Sequence, residues 1–360
     1  MQRVSRYAVC TAPDVLEIQK REVPDPPPGG LIVRVTMAGV CGTDAHLVRG
    51  EVPLPLPIVL GHEGVGVVEE LGDGVTTDSA GTPIEIGDRV YWAPMRPCHH
   101  CYYCTVEGDL ASCDNLGWPV TADIPSASTY GDLAWMDAGS MFYRIPDDTP
   151  TEAVIAFGCG LPAAMQGIDR LGGITPRDVV VVQGCGPVGI AATLLAHLAG
   201  AREVIVIGAP AHRLEFAKRF GATTTIALDT TTPEGRAAQI RELSGGRGPS
   251  VVVEAAGHIS AFVEGLDLVA RNGRFLVLGL WADQGTYPIA PHHINNRSLK
   301  VIGTQFAQPE HYYRTVQLAQ QLHSSFPMSE VVTHRYGLDD SRSAIDAVGR
   351  GEPLKAVVVP

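Results

Sequence analysis

Residues Val179 to Gly200 read VVVVQGCGPVGIAATLLAHLAG, and this stretch decides the architecture of the chain. Four successive valines, Val179 to Val182, form the β-branched run expected of a parallel strand buried on both faces. A glycine turn follows, Gly184-Cys185-Gly186-Pro187-Val188-Gly189, and then an apolar run of small residues predicts a helix over Ile190–Leu198. This is G-x-G-x-x-G between a strand and a helix, the context that gives the motif its meaning. The first glycine permits the turn, the second lets a pyrophosphate approach the backbone, and the third lets the helix lie close to the strand. Phosphate charge would meet the free N–H groups at the start of that helix.

The sequence downstream extends the same pattern. Glu203–Ile207, Thr223–Ala227, Val251–Gly257 and Arg274–Gly279 read as strands. Leu214–Phe220, Arg236–Leu243 and Ala261–Ala270 read as the helices between them. Strands alternating with helices predict a doubly wound parallel sheet with a dinucleotide across its carboxyl edge. An NAD site usually has an acidic residue at the end of its second strand, for the adenosine ribose. Here Val204–Ile207 runs instead into Gly208-Ala209-Pro210, with His212 and Arg213 beyond. No carboxylate repels a 2′-phosphate there, so both NAD and NADP stay open.

Upstream, the chain reads as short strands punctuated by Gly and Pro, beginning with a hairpin of Arg6–Cys10 and Val15–Lys20. That predicts a β-rich first domain. At 360 residues the chain can hold two domains with full cores. A net charge of −12 argues against nucleic acid and anionic membrane surfaces as partners. Apolar runs fall short of the ~20 residues of a transmembrane helix, and the first residues do not read as a signal peptide, so a cytoplasmic location is expected. In a reducing compartment the eight cysteines read as metal ligands or core residues rather than disulfides.

Cys98, Cys101 and Cys104 are spaced by two residues, and Cys113 lies within reach. Four thiolates can close a tetrahedral shell around a structural zinc and leave it no open position. His99 and His100 are expected to face solvent. A second set is dispersed: Cys41, His62 and Cys159. Singly, each reads better as a core or turn residue than as a ligand. Together, two thiolates and one imidazole leave zinc a fourth position, the composition of a catalytic site.

These motifs come in one order: Ala38-Gly39-Val40-Cys41-Gly42-Thr43-Asp44-Ala45-His46, Gly61-His62-Glu63, the four-cysteine lobe, Gly158-Cys159-Gly160 and GCGPVG. Over essentially the whole chain, that order resembles the zinc-dependent alcohol dehydrogenases of the medium-chain dehydrogenase/reductase superfamily. The resemblance implies an α/β chain with two domains. One is a GroES-like catalytic zinc domain over 1–157 and 298–360, with a structural zinc lobe about 94–115. The other is a Rossmann NAD(P)-binding domain over 158–297. It implies reversible oxidation of an alcohol to an aldehyde or ketone, two zinc ions per chain, and a homodimer or homotetramer.

The resemblance also implies roles residue by residue. Cys41, His62 and Cys159 match the catalytic zinc ligands, and Glu63 a carboxylate that can approach the metal. Asp44 matches an acid that orients His62. Thr43 matches the hydroxyl that takes the substrate proton, and His46 the far end of a proton relay. Gly184, Gly186, Pro187, Val188, Gly189, Gly208, Arg213 and Lys355 match cofactor-binding positions, Lys355 at the pyrophosphate. The zinc-free enoyl and quinone reductases share the superfamily, but the intact ligand sets argue against that branch. Loss of Thr43, Asp44, Glu63 or the ligands would be tolerated in a non-catalytic binding protein, and all are present. Trp92, Leu116, Trp118, Trp281 and Phe306 lie in segments that could line an apolar substrate pocket, and most of them read at least equally well as core or interface residues.

Overall fold

A computed structural model of the chain describes residues 3–52, 54–117, 127–283 and 285–360. It divides into two units, residues 1–159 with 308–360, and residues 160–307.

In the first unit, the strand Leu31–Val40 is buried along nearly its whole length, which makes it the centre of the larger sheet. It pairs antiparallel with Gly64–Leu71 and with Leu133–Met136, and at its other end with the terminal strand Lys355–Val359. Arg89–Trp92 and Phe142–Arg144 extend the sheet on one side, and Val332–Gly337 pairs parallel to the terminal strand on the other. The expected hairpin is present as Val4–Ala12 and Val15–Glu22, joined to Ile58–Val59 in a smaller sheet.

Register is what matters for function. Ala38 lies opposite both Gly64 and Val358, and Val40 lies opposite Ala356. Antiparallel neighbours therefore bring three ends together: Cys41 just past Val40, His62 and Glu63 just before Gly64, and Lys355 just before Ala356. The backbone N–H of Gly39 donates to the carbonyl of Glu63 at 2.9 Å and fixes this junction.

The second unit is a six-stranded sheet among the described residues, parallel at every pairing. Its strands run in the order Thr224–Ala227, Glu203–Gly208, Val179–Gln183, Val251–Glu254, Arg274–Val277 and Lys300–Gly303. All residues of Val179–Gln183 are buried, as the valine run predicts for a central strand. The sheet crosses over at this strand, placing the switch point where Gly184 begins the glycine turn. Gly184 has φ +113°, and a Cβ there would lie 2.6 Å from the Ala255 carbonyl. Gly186 caps the helix Pro187–Leu198 with open space beside it, and a Cβ on Gly189 would collide with the Gly184 carbonyl. The three glycines thus serve turn, access and close packing.

One expectation is revised, and one open alternative is decided. The boundary after residue 297 moves to after Ala307, because Lys300–Gly303 pairs in register with Arg274–Val277 as the sixth strand of this sheet. Trp92 is 1% exposed in the core of the first unit, with its indole N–H on the Ala127 carbonyl. It supports the sheet and does not line a pocket. Trp118 lies outside the described residues.

The glycine packing yields a stability test. A methyl group at position 189 meets backbone, which cannot swing aside, so Gly189→Ala carries an overpacking cost of about 1–3 kcal/mol. Urea unfolding should show that loss in stability, together with weaker cofactor binding.

Candidate metal centres and nucleotide site

Cys41 is the N-cap of a helix over Gly42–Val48, and Asp44 is that helix's third residue. The Asp44 carboxylate turns back to accept the Cys41 backbone N–H at 2.9 Å. This reciprocal cap fixes both side chains relative to one another. Asp44 is fully buried, and its Oδ2 also accepts the Tyr130 hydroxyl at 3.0 Å. Its Oδ1 lies 3.4 Å from His62 Nδ1. A carboxylate on Nδ1 leaves Nε2 as the ring nitrogen for a metal and sharpens it as a donor.

The Cys41 and Cys159 sulfurs are 3.7 Å apart. Ligand atoms of Cys41, His62, Glu63 and Cys159 all fall within 4.8 Å of one another. The hydrogen bond from Cys159 holds the Cys41 thiol well below its ordinary range, against desolvation, while the same contact and burial push Cys159 up. Burial opposes a charge on His62, but Asp44 and Cys41 together raise its proton affinity well above normal. Two sulfurs and one nitrogen converging at this separation suit a tetrahedral d¹⁰ cation with one position to spare.

Glu63 does not stand free beside this set. Its Oε1 accepts the Cys159 backbone N–H at 2.8 Å, and its Oε2 pairs with the Lys355 ammonium. Burial would raise the Glu63 pKa, but Lys355 and His62 bring it below the ordinary carboxylate value. Lys355 is 2% exposed and also donates to the Val40 carbonyl at 3.1 Å. The Lys355 ammonium is thus engaged inside the first unit.

Thr43 and His46 are three residues apart on the Gly42–Val48 helix, so they share one side of it. His46 Nδ1 pairs with the Glu51 carboxylate, and Arg49 contacts both. The hydrogen bond from His46 is the main reason Glu51 is held below its ordinary value.

The sulfurs of Cys98, Cys101, Cys104 and Cys113 also lie within 4.8 Å of one another. No disulfide joins any of the eight cysteines. Backbone N–H groups of Cys98 and Asn115 donate to the Cys113 sulfur at 3.2 and 3.3 Å, and the Asn115 amide reaches Cys98 at 3.7 Å. The backbone hydrogen bond from His100 lowers the Cys98 thiol to about 6, whereas desolvation first, then its sulfur neighbours, raise Cys104 to about 12. Four thiols sharing protons this unevenly, with N–H donors outside them, suit a closed thiolate shell. His99 and His100 are exposed, and their imidazoles are not among the grouped ligand atoms.

In the second unit, a cavity of about 240 Å³ is lined by Gly184, Cys185, Gly186, Gly208, Ala209 and Arg213, among others. The Gln183 side-chain amide borders it, 2% exposed and without a hydrogen-bond partner among the described residues. An unsatisfied amide beside bare glycine backbone suits a polar ligand laid across the strand end. Pro187 and Val188 open the adjoining helix, while His212 is exposed. Glu254 was not singled out by its sequence. It is fully buried, and its carboxylate accepts the N–H groups of Ala256, Gly257 and Gly279 at 2.9, 2.6 and 3.1 Å. Burial raises its proton affinity despite those bonds. It holds the loop at Ala255 and Ala256 that forms the cavity's far wall.

Comparison with known proteins gives matches that together span most of the chain. Residues 27–147 match the alcohol dehydrogenase GroES-like domain, and residues 187–321 match the zinc-binding dehydrogenase domain. The chain is 44% identical over 355 residues to 5-exo-hydroxycamphor dehydrogenase of Pseudomonas putida, covering 98% of each chain. An alcohol dehydrogenase crystal structure from Thermotoga maritima superposes with a TM-score of 0.93 at 28% identity, over 99% of this chain and 100% of that one. A zinc-binding dehydrogenase from Sinorhizobium meliloti 1021, crystallised with NADP, superposes at 0.86 with 26% identity over the full length of both.

The carboxylate behind His62 gives the next test. Asp44→Asn keeps the shape but removes the charge on Nδ1, so metal affinity at the Cys41–His62–Cys159 site should fall roughly 10- to 100-fold. Competition with a chromogenic chelator measures it, and the four-cysteine site should release its metal at an unchanged rate.

Proposed function

The chain belongs to the zinc-binding alcohol dehydrogenases of the medium-chain dehydrogenase/reductase superfamily, and from that premise we propose that it oxidises a bulky, apolar secondary alcohol to a ketone with NAD or NADP. As a zinc-dependent oxidoreductase acting on CH–OH groups it also runs the reaction in reverse. The substrate class rests on one observation, the 44% identity along 98% of the chain to a 5-exo-hydroxycamphor dehydrogenase. A hydroxycamphor is a secondary alcohol on a rigid bicyclic skeleton, and such a group needs a wide apolar pocket rather than hydrogen-bonding partners for a second hydroxyl.

Cys41, His62 and Cys159 would hold the catalytic zinc, and Cys98, Cys101, Cys104 and Cys113 the structural one. Zinc supplies Lewis acidity, lowering the pKa of an alcohol as it lowers that of water. The remaining work belongs to the chain. Asp44 fixes the His62 ring and, through the Cys41 N–H, the sulfur beside it. Thr43 Oγ1 receives the proton leaving the substrate and passes its own towards His46. The Glu51 carboxylate on His46 Nδ1 steadies the ring that takes the proton. Gly186, Val188 and Gly189 would offer backbone N–H groups to the cofactor pyrophosphate, with Gly184 making the turn and Pro187 starting the helix. Gly208 ends the second strand without a carboxylate, and Arg213 borders the same cavity, as does Glu264 from another element. Family likeness further supports a homodimer or homotetramer in the cytoplasm, which sedimentation and fractionation would test.

Activity on 5-exo-hydroxycamphor, followed as cofactor reduction and abolished by a zinc chelator, is the direct test. Equal kcat/KM for ethanol would overturn the substrate assignment while leaving the reaction class intact. Thr43→Ala should lower kcat by about 100- to 10,000-fold, the usual size of a proton-transfer contribution. Arg213→Ala should raise KM for NADP at least about tenfold, the worth of roughly one charge-assisted hydrogen bond. KM for NAD should move much less.

A further inference from the structure

The catalytic site holds one potential ligand too many. Glu63 lies within the same 4.8 Å group as Cys41, His62 and Cys159, and four donors would close a tetrahedral shell. In the structure both Glu63 oxygens are already engaged, Oε1 by the Cys159 N–H and Oε2 by Lys355. Lys355 is anchored in turn by the Val40 carbonyl, one residue before the ligand Cys41. Both charged groups are 2% exposed, so water cannot take the place of either partner. The backbone leaves room for this placement: a Cβ on Gly39 or on Gly158 would collide with the Glu63 carboxylate.

We propose that Lys355 is the positioning residue that holds Glu63 off the metal and so keeps the fourth position open to the substrate oxygen. The proposal rests on the reading of Cys41, His62 and Cys159 as zinc ligands. Two thiolates balance the double charge of zinc, and a third anionic ligand would leave the centre negative. Such a centre is a weaker Lewis acid and has no vacancy. With the Lys355 ammonium in place, the buried carboxylate has a cation of its own. Without it, the buried carboxylate is left beside the metal with no ammonium to balance it.

Cobalt(II) in place of zinc gives a readout that needs no turnover. Imidazole entering the fourth position shifts the cobalt–thiolate absorption of the catalytic site, whereas the closed four-cysteine site does not respond. In Lys355→Met, half-saturation should require at least about tenfold more imidazole than in the unmutated protein, the usual scale for a lost partner around a metal. Lys355→Arg keeps the cation and should stay within about threefold. Lys355→Met/Glu63→Gln removes the competing carboxylate and should regain the original imidazole affinity. Unchanged imidazole binding in Lys355→Met, or no recovery in the double variant, overturns the proposal.

Should Lys355→Met fail to fold, Lys355→Met/Glu63→Gln decides, since it buries neither a lone carboxylate nor a lone ammonium. It should bind imidazole as the unmutated protein does. A tenfold weakening in it means that the pair shapes the pocket rather than freeing the site, and overturns the proposal. An unmutated protein whose cobalt spectrum ignores imidazole removes the zinc-site reading itself, and the proposal with it.

Discussion

Charge buried without a partner is the constraint on which the first unit turns. Asp44, His62, Glu63 and Lys355 are each at most 3% exposed. Removing one member of such a set leaves an uncompensated charge, typically a loss of 3–5 kcal/mol. Each is answered: Asp44 by the Cys41 N–H, the Tyr130 hydroxyl and His62, and Glu63 by the Cys159 N–H and Lys355. These partners come from five separate stretches of chain. They meet because Leu31–Val40 is flanked in register by Gly64–Leu71 and Lys355–Val359, so the sheet and the site share one geometry. Donors set at strand ends and a helix cap are held more rigidly than donors on a free loop, which suits a site that must not relax around its metal.

The second unit solves a different problem with backbone rather than side chains. A pyrophosphate needs unobstructed N–H groups, and unobstructed backbone is unstable unless it is packed from behind. Gly189 and Gly184 lie against one another with no room for a methyl group, and Glu254 ties down the opposite loop with three N–H bonds. The open space at Gly186 therefore sits on a rigid base.

Much of this was legible in the sequence, and for identifiable reasons. The valine run before GCGPVG carries its fold in local pattern, and four cysteines within sixteen residues carry theirs in spacing. Cys41, His62 and Cys159 individually carry little, and their reading depended on family order. What stayed hidden depends on register. Lys355 lies 292 residues from Glu63, and nothing local to a terminal strand announces an ion pair at its first residue. Tyr130 and Glu254 are alike in this: each is defined by what the fold sets opposite it. Lys300–Gly303 read as a return to the first domain because a four-residue strand with little burial shows its allegiance only through its partner, Arg274–Val277. For Trp92 the sequence leaves pocket and core both open, because a large aromatic near a metal loop suits either, and Gly64 beneath it decides for the core.

The two metal centres then differ in a way that counting ligands does not capture. Each brings four donor side chains within 4.8 Å, and by that measure both could close. At the lobe, the surroundings favour closure: N–H groups from Cys98 and Asn115 point at sulfur. At the other centre the fourth donor is a carboxylate, and a buried ammonium stands within reach of it. A carboxylate can be drawn away by a cation while remaining hydrogen-bonded, whereas a thiolate in a cage of thiolates has nothing else to bind. The difference between a site that staples a loop and one that does chemistry thus lies in the residues behind the ligands. In this chain that difference comes down to the residue type at position 63 and the strand end that faces it.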